Sequence, residues 1–173
     1  MYTTELFANI DALKKSGDAL PKALFLSPVP PDVIKLHEKR LRMRLRSDET
    51  PLLTVNKKII GNVGGYGWSG ILITDKTLYY RVLKASFFTG VIAMNNIGRI
   101  PIEQITSLQI GNLDACYGMA YVGHQFIVNG KVLGLLRMGG GIEFNGKLID
   151  ILRELFEDDN KSYTWGNLSL IHI

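Results

Sequence analysis

From Leu52 to about residue 137, apolar side chains recur at every second position, in short runs divided by turn-forming residues. This rhythm constrains the fold more than any other feature. A period of two sends neighbouring side chains to opposite faces of a strand and reserves one face for a core. Thr77-Leu78-Tyr79-Tyr80-Arg81-Val82-Leu83 shows the pattern most clearly, with Leu78, Tyr80 and Val82 on one side and Thr77, Tyr79 and Arg81 on the other. Residues 52–55, 68–74, 87–94, 105–110, 117–122, 124–128 and 131–137 are the other predicted strands. Asp75-Lys76 and Asn95-Asn96 read as turns. Asn129-Gly130 is the strongest hairpin marker, because a type I′ turn needs positive φ at both positions. Most of the eighteen glycines fall from Gly61 to Gly146, as short strands with tight turns require.

Helical spacing flanks this region on both sides. Leu6, Ile10 and Leu13 recur at helical intervals before Lys14, Lys15 and Gly17, so the first thirty residues read as helical and then irregular. Ser27-Pro28-Val29-Pro30-Pro31 reads as an extended linker. Asp32 is a natural cap for a second helix running to about Arg46, with Ile34, Leu41 and Leu45 on one stripe and the arginines Arg40, Arg42 and Arg44 facing outward. After Gly139-Gly140-Gly141, the residues Leu148, Ile151, Leu152, Leu155 and Phe156 share one face of a helix near residues 147–156. Asn145 is its expected cap, with Phe144 and Ile149 as a staple. The last stretch holds Tyr163, Trp165, Leu168, Leu170 and Ile171, which is too apolar for a free tail. The organisation is therefore a helical extension and linker over 1–50, a barrel with a capping helix over 51–157, and an apolar tail over 158–173. The fold class is mostly β (α+β overall). A small antiparallel sheet must hide its edges, and curling into a barrel plugged by a helix does so.

Charge is concentrated in one place. Residues 31–46 carry six basic side chains against Asp32 and Glu38, a surplus equal to the net charge of +4 of the whole chain. Such a segment suits an anionic membrane, an acidic partner or a nucleic acid, or is simply a solvated face. The chain does not open with a basic stretch followed by an apolar one, and no window approaches eighteen apolar residues. The cytoplasm is the expected compartment. One cysteine, Cys116, excludes an internal disulfide framework and any zinc site built on several cysteines.

No recognised chemistry emerges. The segment from Gly61 to Ser69 is glycine-rich but lacks the Gly-Lys-Ser/Thr of a phosphate loop, and a strand follows it where such loops need a helix. His37, His124 and His172 have no metal-ligand spacing. Glu103, Asp114 and Glu143 form no carboxylate pair, and Cys116 reads as a small buried filler. Neither a cofactor nor a metal nor catalysis is expected.

Gly70-Ile71-Leu72-Ile73-Thr74-Asp75-Lys76-Thr77-Leu78-Tyr79-Tyr80, followed by Ile100-Pro101-Ile102-Glu103-Gln104-Ile105-Thr106-Ser107-Leu108, resembles the bacterial pleckstrin-homology-like (PH-like) domains. The likeness covers roughly residues 52–157. It implies a barrel of two nearly orthogonal sheets closed by the final helix, and it implies binding rather than reaction. Members that bind phosphoinositides use a basic residue near the end of the first strand, which Lys57 and Lys58 match. They add a Lys/Arg-x-Arg pattern on the second strand, which Trp68-Ser69-Gly70-Ile71 lacks.

Two functional readings result. In the first, the chain is a binding or scaffold module that meets a protein partner, or a second copy of itself, through a strand edge or the helix bearing Ile34, Leu41 and Leu45. Its two arms and apolar tail offer more apolar surface than one small barrel covers, which favours a homo-oligomer. In the second, the basic helix together with Lys57, Lys58, Arg81 and Lys84 meets an anion or a lipid headgroup, placing the chain peripherally at the inner membrane face. Nucleic acid is not an expected partner.

Overall fold

A computed structural model describes residues 2–59, 67–85, 93–116, 121–136 and 146–156. Its elements are α1 (Tyr2–Lys15), β1 (Leu24–Leu26), α2 (Pro31–Leu41), β2 (Pro51–Ile59), β3 (Gly67–Thr74), β4 (Thr77–Ala85) and β5 (Ala93–Pro101). A 3-10 turn at Ile102–Gln104, then β6 (Leu108–Cys116), β7 (Tyr121–Val128), β8 (Lys131–Leu136) and α3 (Gly146–Phe156), follow. All described pairings are antiparallel and join the eight strands into one curled sheet, a half-barrel.

β4 produces the curl. β5 pairs with it along its whole length, Thr77 to Pro101 and Ala85 to Ala93. β3 pairs with the stretch from Leu78 to Arg81, and β8 pairs at Leu83. A strand has two edges, so β3 and β8 share the one opposite β5: β3 leaves and β8 takes its place. The sheet is thus continuous through β4, where the family resemblance implied two orthogonal sheets.

The alternation in β4 sorts the molecule into two layers. Leu78 and Val82 enter the main core with Leu53 and Val55 of β2, Ile71 and Ile73 of β3, and Phe126 of β7. α3 fills this side, burying Leu148, Ile149, Leu152, Leu155 and Phe156, and α1 adds Leu6 and Ile10. Arg153 fastens α3 to β6, donating from Nε and Nη2 to the carbonyls of Ile110 and Gly111 at 3.3 and 3.1 Å. These carbonyls lie where the β6–β7 register shifts, and the Gly111 carbonyl is also met by His124 Nδ1 of β7 at 3.2 Å. On the opposite face, Leu72 and Tyr79 form a second, smaller cluster with Leu41, against which Ile34, Met43 and Leu45 pack.

The differences from the sequence reading have local causes. Residues 1–50 are no mere extension, because β1 pairs with β2 and α1 shares the main core. α2 ends at Leu41 and not near Arg46, since Arg42 adopts a left-handed conformation (φ 53°, ψ 46°). The Glu38 carboxylate then accepts a hydrogen bond from the Leu45 amide at 2.7 Å, fixing the reversed chain. Asp32 makes no cap, and Pro30 takes the N-cap position with Pro31 in the first turn. Asn95 and Asn96 lie inside β5 and are not a turn: Asn95 Oδ1 accepts from Arg81 Nε, and Asn96 Nδ2 donates to the Leu133 carbonyl. The strand expected from Ile105 begins at Leu108, and the segments expected on either side of Gly123 join in β7. The Asn129-Gly130 hairpin forms as expected, with φ of 52° and 73°. Residues 61–66 of the glycine-rich segment, the triple glycine, His172 and the tail lie outside the described residues.

Candidate functional site

The smaller cluster holds α2 against Leu72 of β3 and Tyr79 of β4, and a cleft of about 270 Å³ opens beside the helix. Val33, Leu36, His37 and Arg40 line it from α2 at intervals of three, one and three, which is one helical face. Lys22, Ala23 and Phe25 approach from the segment at β1, and Asn56 with Lys57 closes it from β2. No carboxylate lies among these lining residues.

Each polar group is placed by its strand register. Thr54 and Asn56 are two apart on β2, opposite Leu72 and Gly70 of β3, and so share the face beneath α2. Gly70 is required here, because a Cβ at this position would collide with the Val55 carbonyl and the Cα and Cβ of Asn56. The Thr54 hydroxyl donates to the Ile71 carbonyl at 3.2 Å, so it accepts from His37 Nδ1 at 2.6 Å. This fixes the Nδ1–H tautomer and leaves Nε2 as the acceptor. The ring of Phe25 stands edge-on to His37 at 5.7 Å. Burial, and then the charge of Arg40, pull the His37 pKa down to about 4, so the ring is neutral at pH 7.

Arg40 is held from two sides. Its guanidinium lies 3.6 Å from the centroid of the Trp68 ring, and its Nη1 donates to Asn56 Oδ1 at 3.2 Å. Burial lowers its pKa, yet a guanidinium stays charged at pH 7. Asn56 is only 4% exposed. With Oδ1 taken by Arg40, its Nδ2 has no hydrogen-bond partner and is the sole buried side-chain N or O atom among the described residues left in that state.

The basic residues singled out in the sequence take different places. Lys57 lines the cleft, and Lys58 follows it in β2 opposite Trp68. Arg81 is 3% exposed and buried beneath α2, donating from Nη1 to the Arg40 carbonyl at 2.7 Å. It satisfies the negative end of the helix and offers no free charge at the surface. Lys84 is exposed near the end of β4, and Arg42 and Arg44 are exposed after α2. Ile34, Leu41 and Leu45 pack within the chain. Lys22, Phe25, His37 and Asn56 were missed as a group because β1 and the register of β2, not sequence proximity, bring them together. The spacing Val33, Leu36, His37, Arg40 was visible as a second stripe on α2.

A second buried polar group lies elsewhere on the same face. Glu49 accepts hydrogen bonds from Thr74 Oγ1, Thr77 Oγ1 and Tyr79 Oη at 2.9, 3.0 and 3.2 Å. Burial, then the hydrogen bond to Glu49, raises the Tyr79 pKa. All these partners are satisfied, so the group pins the segment before β2 to the β3–β4 hairpin. Among the described residues, no cluster of His, Cys, Asp and Glu suits a metal ion, and no helix is long and apolar enough to cross a membrane. Comparison with protein families, curated proteins and solved structures finds no match to this chain.

Proposed function

We propose that this chain is a non-enzymatic binding module that receives an acidic group in the cleft between α2 and β2. The unpartnered amide nitrogen of Asn56, next to the Arg40 guanidinium, carries this reading. A buried donor without an acceptor costs about 1–3 kcal/mol, a cost that a ligand oxygen removes. Lys22 and Arg40 bring positive charge to a lining that holds no carboxylate, so the complementary group is an anion. The resemblance to the PH-like domains also supports binding over reaction. Self-association through α2 has less to draw on, since its apolar stripe is used inside the chain.

The test is a titration of the ¹⁵N-labelled protein with acetate and inorganic phosphate, following the Asn56 side-chain amide. Saturable movement of that resonance is expected, with loss of the response in Arg40→Gln and an unchanged backbone spectrum away from the cleft. An Asn56 resonance that ignores both anions, or responds equally in Arg40→Gln, overturns the reading.

A further inference from the structure

Resting on that reading of the cleft, we infer that the acidic group is a carboxylate side chain of a peptide segment in which a large apolar side chain is its neighbour. The carboxylate meets Arg40 and the Asn56 amide, and the apolar side chain lies against Leu36, Val33 and Phe25.

Three observations lead to this ligand. The first is size. At about 270 Å³ the cleft falls just below the roughly 300–1,000 Å³ typical of sites for drug-sized ligands and cofactors, and it suits one or two side chains. The second is the composition of the walls. Cations and an amide occupy one part, while Phe25, Val33 and Leu36 make the rest apolar. A free inorganic anion satisfies only the first part. Leu36 is 43% exposed, although other apolar side chains of α2, Ile34 and Leu41, pack against the sheet. The third is geometry at the cation. Stacking on Trp68 fixes the plane of the Arg40 guanidinium, and only its Nη1 is committed to Asn56. A fixed planar fork suits the two coplanar oxygens of a carboxylate. Asn56 Nδ2 is buried, so in the proposed complex the side chains over it give way to admit the oxygen. Water therefore does not compete well for this donor. A lipid surface shares the anionic chemistry, but it presents its charges in a plane, whereas these donors lie in a cleft walled by α2, β2 and the segment at β1.

Trp68 reports on the site directly once the other tryptophan is removed by Trp165→Phe. The probes are seven-residue peptides containing Glu-Phe, Gln-Phe or Glu-Ser in an otherwise identical neutral sequence, with acetate and phosphatidylserine vesicles alongside. Binding of the Glu-Phe peptide at least tenfold tighter than either variant peptide is expected. Leu36→Ser, at an exposed position, is expected to weaken the Glu-Phe peptide about tenfold while leaving the acetate response of Asn56 intact. Equal binding of Glu-Phe and Glu-Ser, or indifference to Leu36→Ser, sinks the peptide assignment. The anion reading then stands if acetate still moves Asn56. Failure of every anion at Asn56 removes both. Tighter binding to vesicles than to the Glu-Phe peptide, abolished by Arg40→Gln, replaces the peptide with a lipid surface.

Discussion

His37 ties the interior to pH. Its ring is buried, gives its one proton to Thr54, and stands near a guanidinium that repels a second positive charge. The folded-state pKa of about 4 lies below the ordinary 6.5, so the fold favours the neutral ring. Above pH 6.5 both folded and unfolded chains hold His37 neutral and nothing is lost. As pH falls from 6.5 towards 4, the unfolded chain takes up a proton that the folded chain refuses, and stability drops. Between pH 7.5 and 5 the expected loss from this residue is about 1–2 kcal/mol, the larger value before allowing for solvent in the cleft that the ring lines. Urea melts at the two pH values measure it. His37→Gln is expected to flatten the difference, and an equally steep dependence in that variant would assign the effect to other groups. At this scale the sequence was least informative. A histidine on a basic helix looks solvated until the register of β2 places Thr54 beneath it.

Among the elements, α3 was the most legible and α2 the least. Five of the apolar residues in α3 repeat at intervals that only a helix can align, and nothing in its sequence offers a competing pattern. All five are buried in the main core. Leu152 is fully enclosed, so Leu152→Ala should cost about 2–5 kcal/mol in a urea melt. A loss below about 1 kcal/mol would mean that α3 does not seal the half-barrel. In α2 the segment after Leu41 was misread as helix. Leu41, Met43 and Leu45 alternate with Arg42, Arg44 and Arg46, and their burial alternates with them. That period of two marked an extended chain, yet the arginines and leucines are good helix formers and masked it. β5 failed in the opposite direction. Asn95-Asn96 carries turn chemistry, but pairing along the whole of β4 and the side-chain bonds to Arg81 and Leu133 outweigh it.

Considered as a whole, the molecule depends on its first fifty residues for its core and for one edge of its sheet. They supply β1 to the sheet edge, Leu6, Ile10 and Leu24 to the main core, and Leu41 to the smaller one. Deleting residues 1–50 is therefore expected to abolish the cooperative melt and to cause aggregation, through exposure of the β2 edge and of the α3 face that α1 covers. A truncated chain that stays soluble and melts at the temperature of the full protein, by circular dichroism and light scattering, would show these segments to be dispensable. The same dependence explains the division between what was readable and what was not. By itself the sequence determined the mostly β class, the faces of β4, the Asn129-Gly130 hairpin and the buried face of α3, because each follows from spacing within a few residues. Only the tertiary structure decided the rest. The exchange of β3 for β8 along β4, the pairing of β1, and the cleft joining Lys22, Arg40 and Asn56 are contacts between distant segments. Such contacts are set by strand register and by competition for buried space, neither of which is written in any local run of residues.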